Sequence, residues 1–153
     1  AEKVDGRVAV VVSRFNELVT ERLLEGARAC LLQHGLGEDA IDVIHVPGAW
    51  ELPGAAQRAA ATGRYVAIVA LGCVIRGETP HFEYVAGESA RGLARVMLDA
   101  GIPVGFGVLT TEDEDQAMAR AGGRVGNKGW DAALSALEMA DLYRRLEALG
   151  AGA

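Results

Sequence analysis

The residues best suited to chemistry lie at one junction, where an apolar run ends in a polar turn and a histidine follows. The run 66–75 is continuously apolar, and residues 76–80 read Arg-Gly-Glu-Thr-Pro before His81. Such a run is typical of a central parallel strand that is covered on both faces. The free backbone N–H groups that open the next helix can bind phosphate, and an imidazole exchanges protons near neutral pH. The junction therefore predicts a site that binds an anion and moves a proton.

Four alternations of strand and helix position this junction. Short runs rich in Val and Ile predict strands, and apolar residues at helical spacing predict the helices between them. The expected strands are 7–12, 41–46, 65–75 and 104–109, and the expected helices are 18–34, 52–62, 82–100, 112–121 and 128–149. Repeated alternation implies right-handed crossovers. The expected fold class is α/β, a three-layer α/β/α sandwich on a four-stranded parallel sheet in flavodoxin-like order.

Length and composition fit one domain. The chain has 153 residues, 50% of them hydrophobic, and contains no linker or low-complexity segment. A chain of this size buries roughly 70% of its unfolded surface, which is enough for a substantial core. We expect residues 1–153 to form a single domain, with 1–5 and 150–153 frayed at its ends.

Charge and hydropathy exclude several classes of partner. A net charge of −6 disfavours nucleic acid and anionic membranes as partners. The apolar runs are far shorter than the ~20 residues of a membrane helix, and the first residues lack a signal-peptide pattern. Cys30 and Cys73 lack the spacing of a metal or redox motif, so we interpret both as buried thiols. We therefore expect a cytoplasmic protein with no nucleic-acid or membrane partner.

Two aromatic residues follow the first two predicted strands. Parallel α/β sheets bind ligands at the carboxyl ends of their strands, and Phe15 and Trp50 occupy such ends. The chain has only three Phe, two Trp and three Tyr, so this placement is unusual. A flat ring system could stack on them. The alternative is that they close the sheet edge as ordinary hydrophobic residues, and by themselves they do not exclude it.

The chain resembles the lumazine synthase family in several segments that occur in the same order. They are VVSRFN, VPGAWELP, ALGCVIRGETPHFEYV, and PVGFGVLTTEDEDQAMARAG followed by GNKG, within residues 6–139. Several motifs in order are far more specific than one. This family joins 5-amino-6-(D-ribitylamino)uracil to 3,4-dihydroxy-2-butanone 4-phosphate, giving 6,7-dimethyl-8-ribityllumazine, phosphate and water in the penultimate step of riboflavin biosynthesis. The resemblance therefore implies a transferase with small-molecule substrates and no metal or organic cofactor.

The resemblance also implies roles for individual residues. His81 is the proton-transfer residue, and Glu51 accepts hydrogen bonds from ribityl hydroxyls. The pyrimidine and ribityl contacts are Phe15, Ala49, Trp50, Glu51, Cys73, Val74, Ile75 and Phe106. The phosphate contacts are Glu78 and Thr79 through backbone N–H groups, Arg120, and Lys128 nearby. Repeated proton transfers suit an imidazole, and a bound phosphate suits a guanidinium and a helix N-terminus. Trp50 departs from the family, in which Phe is more usual.

The resemblance further implies a homo-oligomer with sites shared between adjacent subunits. The family forms pentamers, twelve of which can close into a sixty-subunit shell, and riboflavin synthase is a candidate partner. If the fourth helix begins at Thr111, nine residues of rise carry Arg120 roughly 14 Å from its own pocket, so we expect Arg120, with Phe106 and Lys128, to serve a neighbour. The lack of an insertion within 122–129 resembles the shell-forming members and favours the shell. Many members also have a longer N-terminal segment that adds a strand to the neighbouring subunit. This chain has few residues before its first strand, so the resemblance does not imply that contact here.

Other features have simpler interpretations. His34 fits a helix end and His45 a strand, while the acids 112–115 fit a first helical turn capped by Thr111 better than a metal cluster. The segment 122–129 lacks a Gly-Lys-Ser/Thr ending and is not expected to precede a strand-to-helix turn, so it does not predict nucleotide binding. Two other functions stay open, a non-catalytic flavin or lumazine binder and a structural shell protein. His81 and Arg120 argue against the first.

Overall fold

The computed structural model describes residues 5–152 and confirms the expected α/β fold class. The main strands are β1 (Arg7–Ser13), β2 (Ile41–Val46), β3 (Tyr65–Ile75) and β4 (Val104–Thr111). The helices are α1 (Glu17–Gln33), α2 (Leu52–Ala61), α3 (His81–Ala100), α4 (Glu114–Ala119) and α5 (Lys128–Ala151). Short 3₁₀ turns at Glu38–Ala40 and Ala49–Glu51 precede β2 and α2. The predicted bounds of β2 and β3 match those observed, and most others differ by one or two residues.

The four main strands are parallel and lie in the order β2-β1-β3-β4, which is the predicted flavodoxin-like order. Strands β1 and β3 are central; β1 is apolar from Val8 to Val12, and every residue of β3 from Ala67 to Val74 is buried. The pairing of β3 with β1 ends at Leu71, but its pairing with β4 continues to Ile75. The last residues of β3 therefore project past β1 and leave one side of its backbone open.

Helices cover both faces of the sheet. Alternate side chains of β1 point to opposite faces, so Val10 packs in one cluster with Leu23 and Leu137 from α1 and α5. Leu52 and Leu93, from α2 and α3, belong to the cluster on the other face. Full burial of one such leucine contributes on the order of 2 kcal/mol. These two clusters hold the strands rigidly, so that the loops at their carboxyl ends are supported.

The start of α4 differs from its prediction. Thr111 is the last residue of β4 and not a helix cap, and its hydroxyl donates to the carbonyl of Asp113 at 2.9 Å. Asp113 is the N-cap instead, because its extended backbone lets its carboxylate accept from Gln116 N at 2.8 Å. The acids Glu114 and Asp115 occupy the first turn as expected, whereas Glu112 precedes the helix. The prediction of a helix over 112–121 is therefore too long at both ends.

A short antiparallel hairpin between α4 and α5 was not predicted. It pairs β5 (Ala121–Gly123) with β6 (Gly126–Asn127), and β6 runs directly into α5. The expectation that this segment precedes no strand-to-helix turn is therefore wrong. The Asn127 side chain caps α5 by accepting from the backbone N–H groups of Gly129 at 2.8 Å and Trp130 at 3.1 Å. These helix-opening donors are thus already bonded within the chain.

The expectation of frayed ends falls partly outside the described residues, which exclude 1–4 and 153. Within them, α5 continues through Gly150 to Ala151. The helix therefore extends two residues beyond the predicted end at Leu149.

Candidate functional site

A cavity of about 720 Å³ opens at the carboxyl ends of β1, β2 and β3. Its volume lies within the range typical of small-molecule sites. The lining residues are Phe15, Gly48, Ala49, Trp50, Glu51, Cys73, Val74, Ile75, Gly77, Thr79, His81, Phe82, Tyr84 and Val85. The structure therefore gathers most of the predicted site residues around one cavity.

The aromatic side chains at the cavity are open to solvent. Phe15 is 68% exposed and Trp50 is 57% exposed. Phe15 lies in the turn between β1 and α1, and Trp50 lies in the 3₁₀ turn before α2. Large aromatic side chains that only closed the sheet edge would be covered by the chain. The exposure of Phe15 and Trp50 on a concave surface therefore favours a role in stacking on a ligand.

Asn16 fixes the turn that carries Phe15. It is the one non-glycine residue with positive φ in the described range, at φ 60°. It precedes α1 but does not cap it with its side chain, because its Nδ2 donates to the carbonyl of Cys73 at 2.9 Å. This amide takes the position that β1 leaves open beside the end of β3. Sequence reasoning assigned Asn16 no role, although Asn tolerates left-handed backbone and directly follows Phe15.

The end of β3 presents backbone groups to the cavity. The Cys73 carbonyl is bonded by Asn16, and the N–H of Arg76 donates to the Thr111 carbonyl of β4 at 2.9 Å. Because successive residues of a strand point their backbone groups to opposite sides, Ile75 faces the open side. Its N–H and carbonyl are therefore the backbone groups of β3 best placed for a ligand.

Both cysteines are free and buried, as predicted. Burial raises the pKa of the Cys73 thiol to about 11, with a smaller contribution from Glu114. Burial likewise raises the pKa of Cys30 to about 11, with a smaller contribution from Asp131. Both are neutral thiols at physiological pH, so Cys73 offers its backbone and not a thiolate to the site.

The exposed turn 77–80 leads into α3, whose first residue is His81. Pro80 is the N-cap and gives no side-chain cap, so the first backbone N–H groups of α3 stay available to an anion. Thr79 lines the cavity, and Glu78 lies beside it in the same turn without lining the cavity. Phe82, Tyr84 and Val85 also line it, although sequence reasoning assigned them no role. The signal for Tyr84 is its helical spacing of three residues from His81.

Three predicted site residues lie away from this cavity. Phe106 and Lys128 line a second cavity of about 300 Å³ between β4 and α5. Arg120 directly follows α4, where its Nη1 donates to the Gln116 carbonyl at 2.9 Å, and it lines neither cavity. Within one chain, Phe106 and Lys128 are therefore separate from the main cavity, and Arg120 is separate from both cavities.

Within residues 5–152, no three His, Cys, Asp or Glu side chains are grouped as a metal site requires. None of the helices in this range is both long and apolar enough to cross a membrane.

Comparison with known proteins gives one consistent family. A family model described as 6,7-dimethyl-8-ribityllumazine synthase matches residues 5–144. A relative of that description from Chlorobium luteolum is 52% identical over 142 residues, covering 93% of this chain and 92% of the relative. Another from Chlorobaculum tepidum is 54% identical over 140 residues, covering 92% and 90%. A third from Chlorobium phaeovibrioides is 51% identical over 142 residues, covering 93% and 92%. The chain belongs to the 6,7-dimethyl-8-ribityllumazine synthase family.

Proposed function

We propose that this protein condenses 5-amino-6-(D-ribitylamino)uracil with 3,4-dihydroxy-2-butanone 4-phosphate, as a transferase of riboflavin biosynthesis that uses no metal or organic cofactor. The observation that carries the proposal is the main cavity of a member of this family. There, exposed aromatic rings lie beside the imidazole of His81 and a helix start without a side-chain cap. These are the groups needed to stack a pyrimidine, hold a phosphate and move protons.

The proposed pyrimidine subsite is the part of the cavity nearest β1, β2 and β3. The Phe15 ring stacks on the pyrimidine, and the backbone of Ile75, with Cys73 and Val74, lines its edge. The turn 49–51 contacts the ribityl chain, with Glu51 accepting hydrogen bonds from its hydroxyls. A carboxylate is suited to this role because it offers two acceptor oxygens.

The proposed phosphate subsite is the turn before α3. The backbone N–H groups of Glu78 and Thr79 bind the phosphate of the butanone, beside His81. The primary amine of the pyrimidine attacks the ketone carbonyl, and a first water leaves to give an imine. Phosphate is then eliminated, and proton transfer turns the adjacent hydroxyl-bearing carbon into a carbonyl. The ribitylamino nitrogen attacks this carbonyl and closes the ring as a second water leaves. His81 accepts and returns the protons that these steps move, while the bound phosphate is already placed to leave.

We further propose that neighbouring subunits complete each site. Phe106 and Lys128 share a second cavity apart from His81, and Arg120 lies apart from both cavities. A head-to-tail ring places one subunit's residues against the next subunit's cavity. The separation of these residues supports a homo-oligomer with shared sites. From the family resemblance we propose that this oligomer is a pentamer, that twelve pentamers close into a shell in the cytoplasm, and that riboflavin synthase is a partner.

Incubation of the protein with both substrates tests the activity directly. We expect lumazine absorbance and fluorescence to rise with time and phosphate to be released in equal amount. Binding of lumazine without turnover would identify the non-catalytic binder instead. Neither binding nor turnover, from an assembled shell, would identify a structural protein.

Subunit mixing tests the shared site. When the butanone phosphate is kept well below its KM, His81→Ala and Arg120→Ala oligomers should each have little activity, the first through a lower kcat and the second through a higher KM. If they are dissociated, mixed equally and reassembled, random assembly around a head-to-tail ring gives roughly one quarter of sites both groups. About a quarter of wild-type activity should therefore return. A mixture that stays inactive after mass spectrometry has verified subunit exchange would place both residues in one chain's site.

A further inference from the structure

The turn that carries the proposed phosphate contacts is closed at its base by Arg76. This residue directly precedes the turn, and Phe82 directly follows His81 in α3. The guanidinium carbon of Arg76 lies 4.9 Å from the centroid of the Phe82 ring. The contact joins the two ends of the five-residue segment 77–81, which contains Glu78, Thr79 and His81.

The end of β4 holds the guanidinium in this position. Arg76 Nε donates to Glu112 Oε2 at 2.9 Å, and the backbone N–H of Arg76 donates to the Thr111 carbonyl at 2.9 Å. Glu112 is itself held, because its backbone N–H donates to Gln116 Oε1 at 2.8 Å. Arg76 is therefore tied by its backbone and its side chain to two successive residues of another segment.

The described residues give the turn no other side-chain tie. The side chains of 77–80 form no hydrogen bond within the described chain, and all four residues are exposed. Their one additional backbone contact is local, from Glu83 N to the Pro80 carbonyl at 3.0 Å. The position of the turn thus depends on its two ends and on what joins them.

A planar guanidinium can make both contacts at once. Its face stacks on an aromatic ring while its edge donates to a carboxylate, which a lysine ammonium does not combine in the same geometry. The Arg76 and Glu112 side chains are 47% and 61% exposed, so the ion pair alone adds little to global stability. Its importance is local, because it constrains a short segment that has few other contacts.

We propose that Arg76 is a positioning residue whose guanidinium, stacked on Phe82 and paired with Glu112, holds the turn 77–81 in its phosphate-binding conformation. Arg76 does not line the main cavity, and its charge is already paired with Glu112. It acts through the backbone N–H groups of Glu78 and Thr79 and the placement of His81. This inference rests on the proposed function, because it uses the same phosphate subsite.

Steady-state kinetics of Arg76→Gln, Glu112→Gln and the double variant test this role. Arg76→Gln should raise KM for the butanone phosphate roughly three- to tenfold and leave KM for the pyrimidine within about twofold. Glu112→Gln should act in the same direction but more weakly. The double variant should be no worse than Arg76→Gln alone, because the two residues belong to one unit. The matched control is Arg95→Gln. This change removes an ion pair of 3.2 Å between Arg95 and Asp99 near the other end of α3, and it should leave both KM values unchanged.

Hydrogen exchange gives a second measurement that does not depend on turnover. Inorganic phosphate should protect the backbone amides of Glu78, Thr79, His81 and Phe82 in the wild-type protein and protect them less in Arg76→Gln and Glu112→Gln. If the wild-type protein makes no lumazine yet shows this difference, the proposed function fails and the positioning role stands. If Arg76→Gln does not fold, Glu112→Gln, which keeps the guanidinium, carries the same test. The proposal would be overturned if Arg76→Gln kept the wild-type KM for the butanone phosphate or changed both KM values equally. It would also be overturned if phosphate protected the amides of the variants as well as those of the wild-type protein.

Discussion

Polar side chains at the two ends of the parallel sheet differ in their hydrogen bonding within the chain. At the amino end, the carboxylate of Asp42 accepts hydrogen bonds from Arg7 at 2.9 Å, Arg64 at 3.1 Å and Tyr65 at 2.7 Å. At the carboxyl end, the side chains of Glu51 and His81 form no hydrogen bond within residues 5–152. The Asp42 carboxylate is thus satisfied within the chain, whereas the side chains of Glu51 and His81 at the main cavity stay open to a ligand.

This difference indicates that the residues at the amino end of the sheet stabilise the fold, whereas those at its carboxyl end bind a ligand. The Asp42 network joins the starts of β1, β2 and β3, and Tyr65, followed by Arg7 and Arg64, holds the pKa of Asp42 well below its usual range. Partners that are already present stabilise the fold, whereas unpaired groups contribute only when a ligand arrives. We therefore expect changes at the carboxyl end to alter activity and changes at the amino end to alter stability.

The largest expected effect is at His81. His81→Ala should lower kcat by about 10²-fold, as is typical when a general acid or base is removed, and leave pyrimidine binding nearly intact. Steady-state kinetics and calorimetric titration with the pyrimidine measure the two quantities. His45→Ala is the matched control, because His45 is a half-exposed histidine on β2, 3.8 Å from Glu21. An unchanged kcat in His81→Ala would remove this residue from the mechanism.

The second largest effect is expected at Arg120, which is proposed to bind the phosphate of the butanone. Arg120→Ala should raise KM for the butanone phosphate roughly tenfold or more, since a hydrogen bond between charged groups is lost, and should affect the pyrimidine far less. Inorganic phosphate should compete with the butanone phosphate in the wild-type protein and less in the variant. Arg124→Ala removes a charge of the same sign four residues away and serves as the control. Equal effects on both substrates would indicate a folding or assembly defect.

At the amino end of the sheet, Asp42→Asn should lower the stability of the fold and leave catalysis unchanged. The pKa of Asp42 is lowered in the folded protein, so its stabilising effect is complete above the unfolded pKa near 3.8 and is lost as pH falls below it. The difference in unfolding midpoint between wild type and variant should therefore be constant near neutral pH and shrink below about pH 4. Kinetics at neutral pH should match wild type. A loss of activity in a folded variant would contradict the separation of the two ends.

The smallest effect is expected at Cys73, which lies at the carboxyl end but is buried. Cys73→Ala should keep kcat and both KM values within about twofold, because the backbone and not the thiol faces the site. With a pKa of about 11, only about one thiol in a thousand is ionised at pH 8, so iodoacetamide should label the cysteine only after denaturation. Rapid labelling of the native protein would show that the thiol is more accessible than its burial indicates.

The sequence predicted the elements whose signals are local. The bounds of β2 and β3 follow from Val- and Ile-rich runs. Helix α1 ends within one residue of the predicted position, and Gly35 just beyond it has a φ of 99°, which favours glycine. The hairpin β5–β6 was missed because strands of two or three glycine-rich residues show no alternation of apolar and polar positions. The cap of α4 was misplaced because Thr111 and Asp113 both suit a cap, and the backbone geometry that favours Asp113 cannot be read from residue types.

In the candidate site, too, the residues with local signals were predicted and the contacts between distant residues were not. Phe15, Trp50 and His81 stand at recognisable strand ends, and the structure gathers them around one cavity. The bond from Asn16 to Cys73 joins residues 57 positions apart, and that from Arg76 to Glu112 joins residues 36 apart. Both depend on how far β3 extends beside its neighbours, which is a matter of strand register and not of any short motif.

The placement of the two tryptophans also gives the molecule a built-in optical probe. Trp50 is 57% exposed at the main cavity, whereas Trp130, the other tryptophan of the sequence, packs edge-on against His34 with ring centroids 6.2 Å apart. The emission of Trp50 should therefore be red-shifted and quenched by an aromatic ligand, while Trp130 provides a constant internal reference. A Trp130→Phe variant would isolate the first signal, so that occupancy of the cavity could be followed in real time without a label.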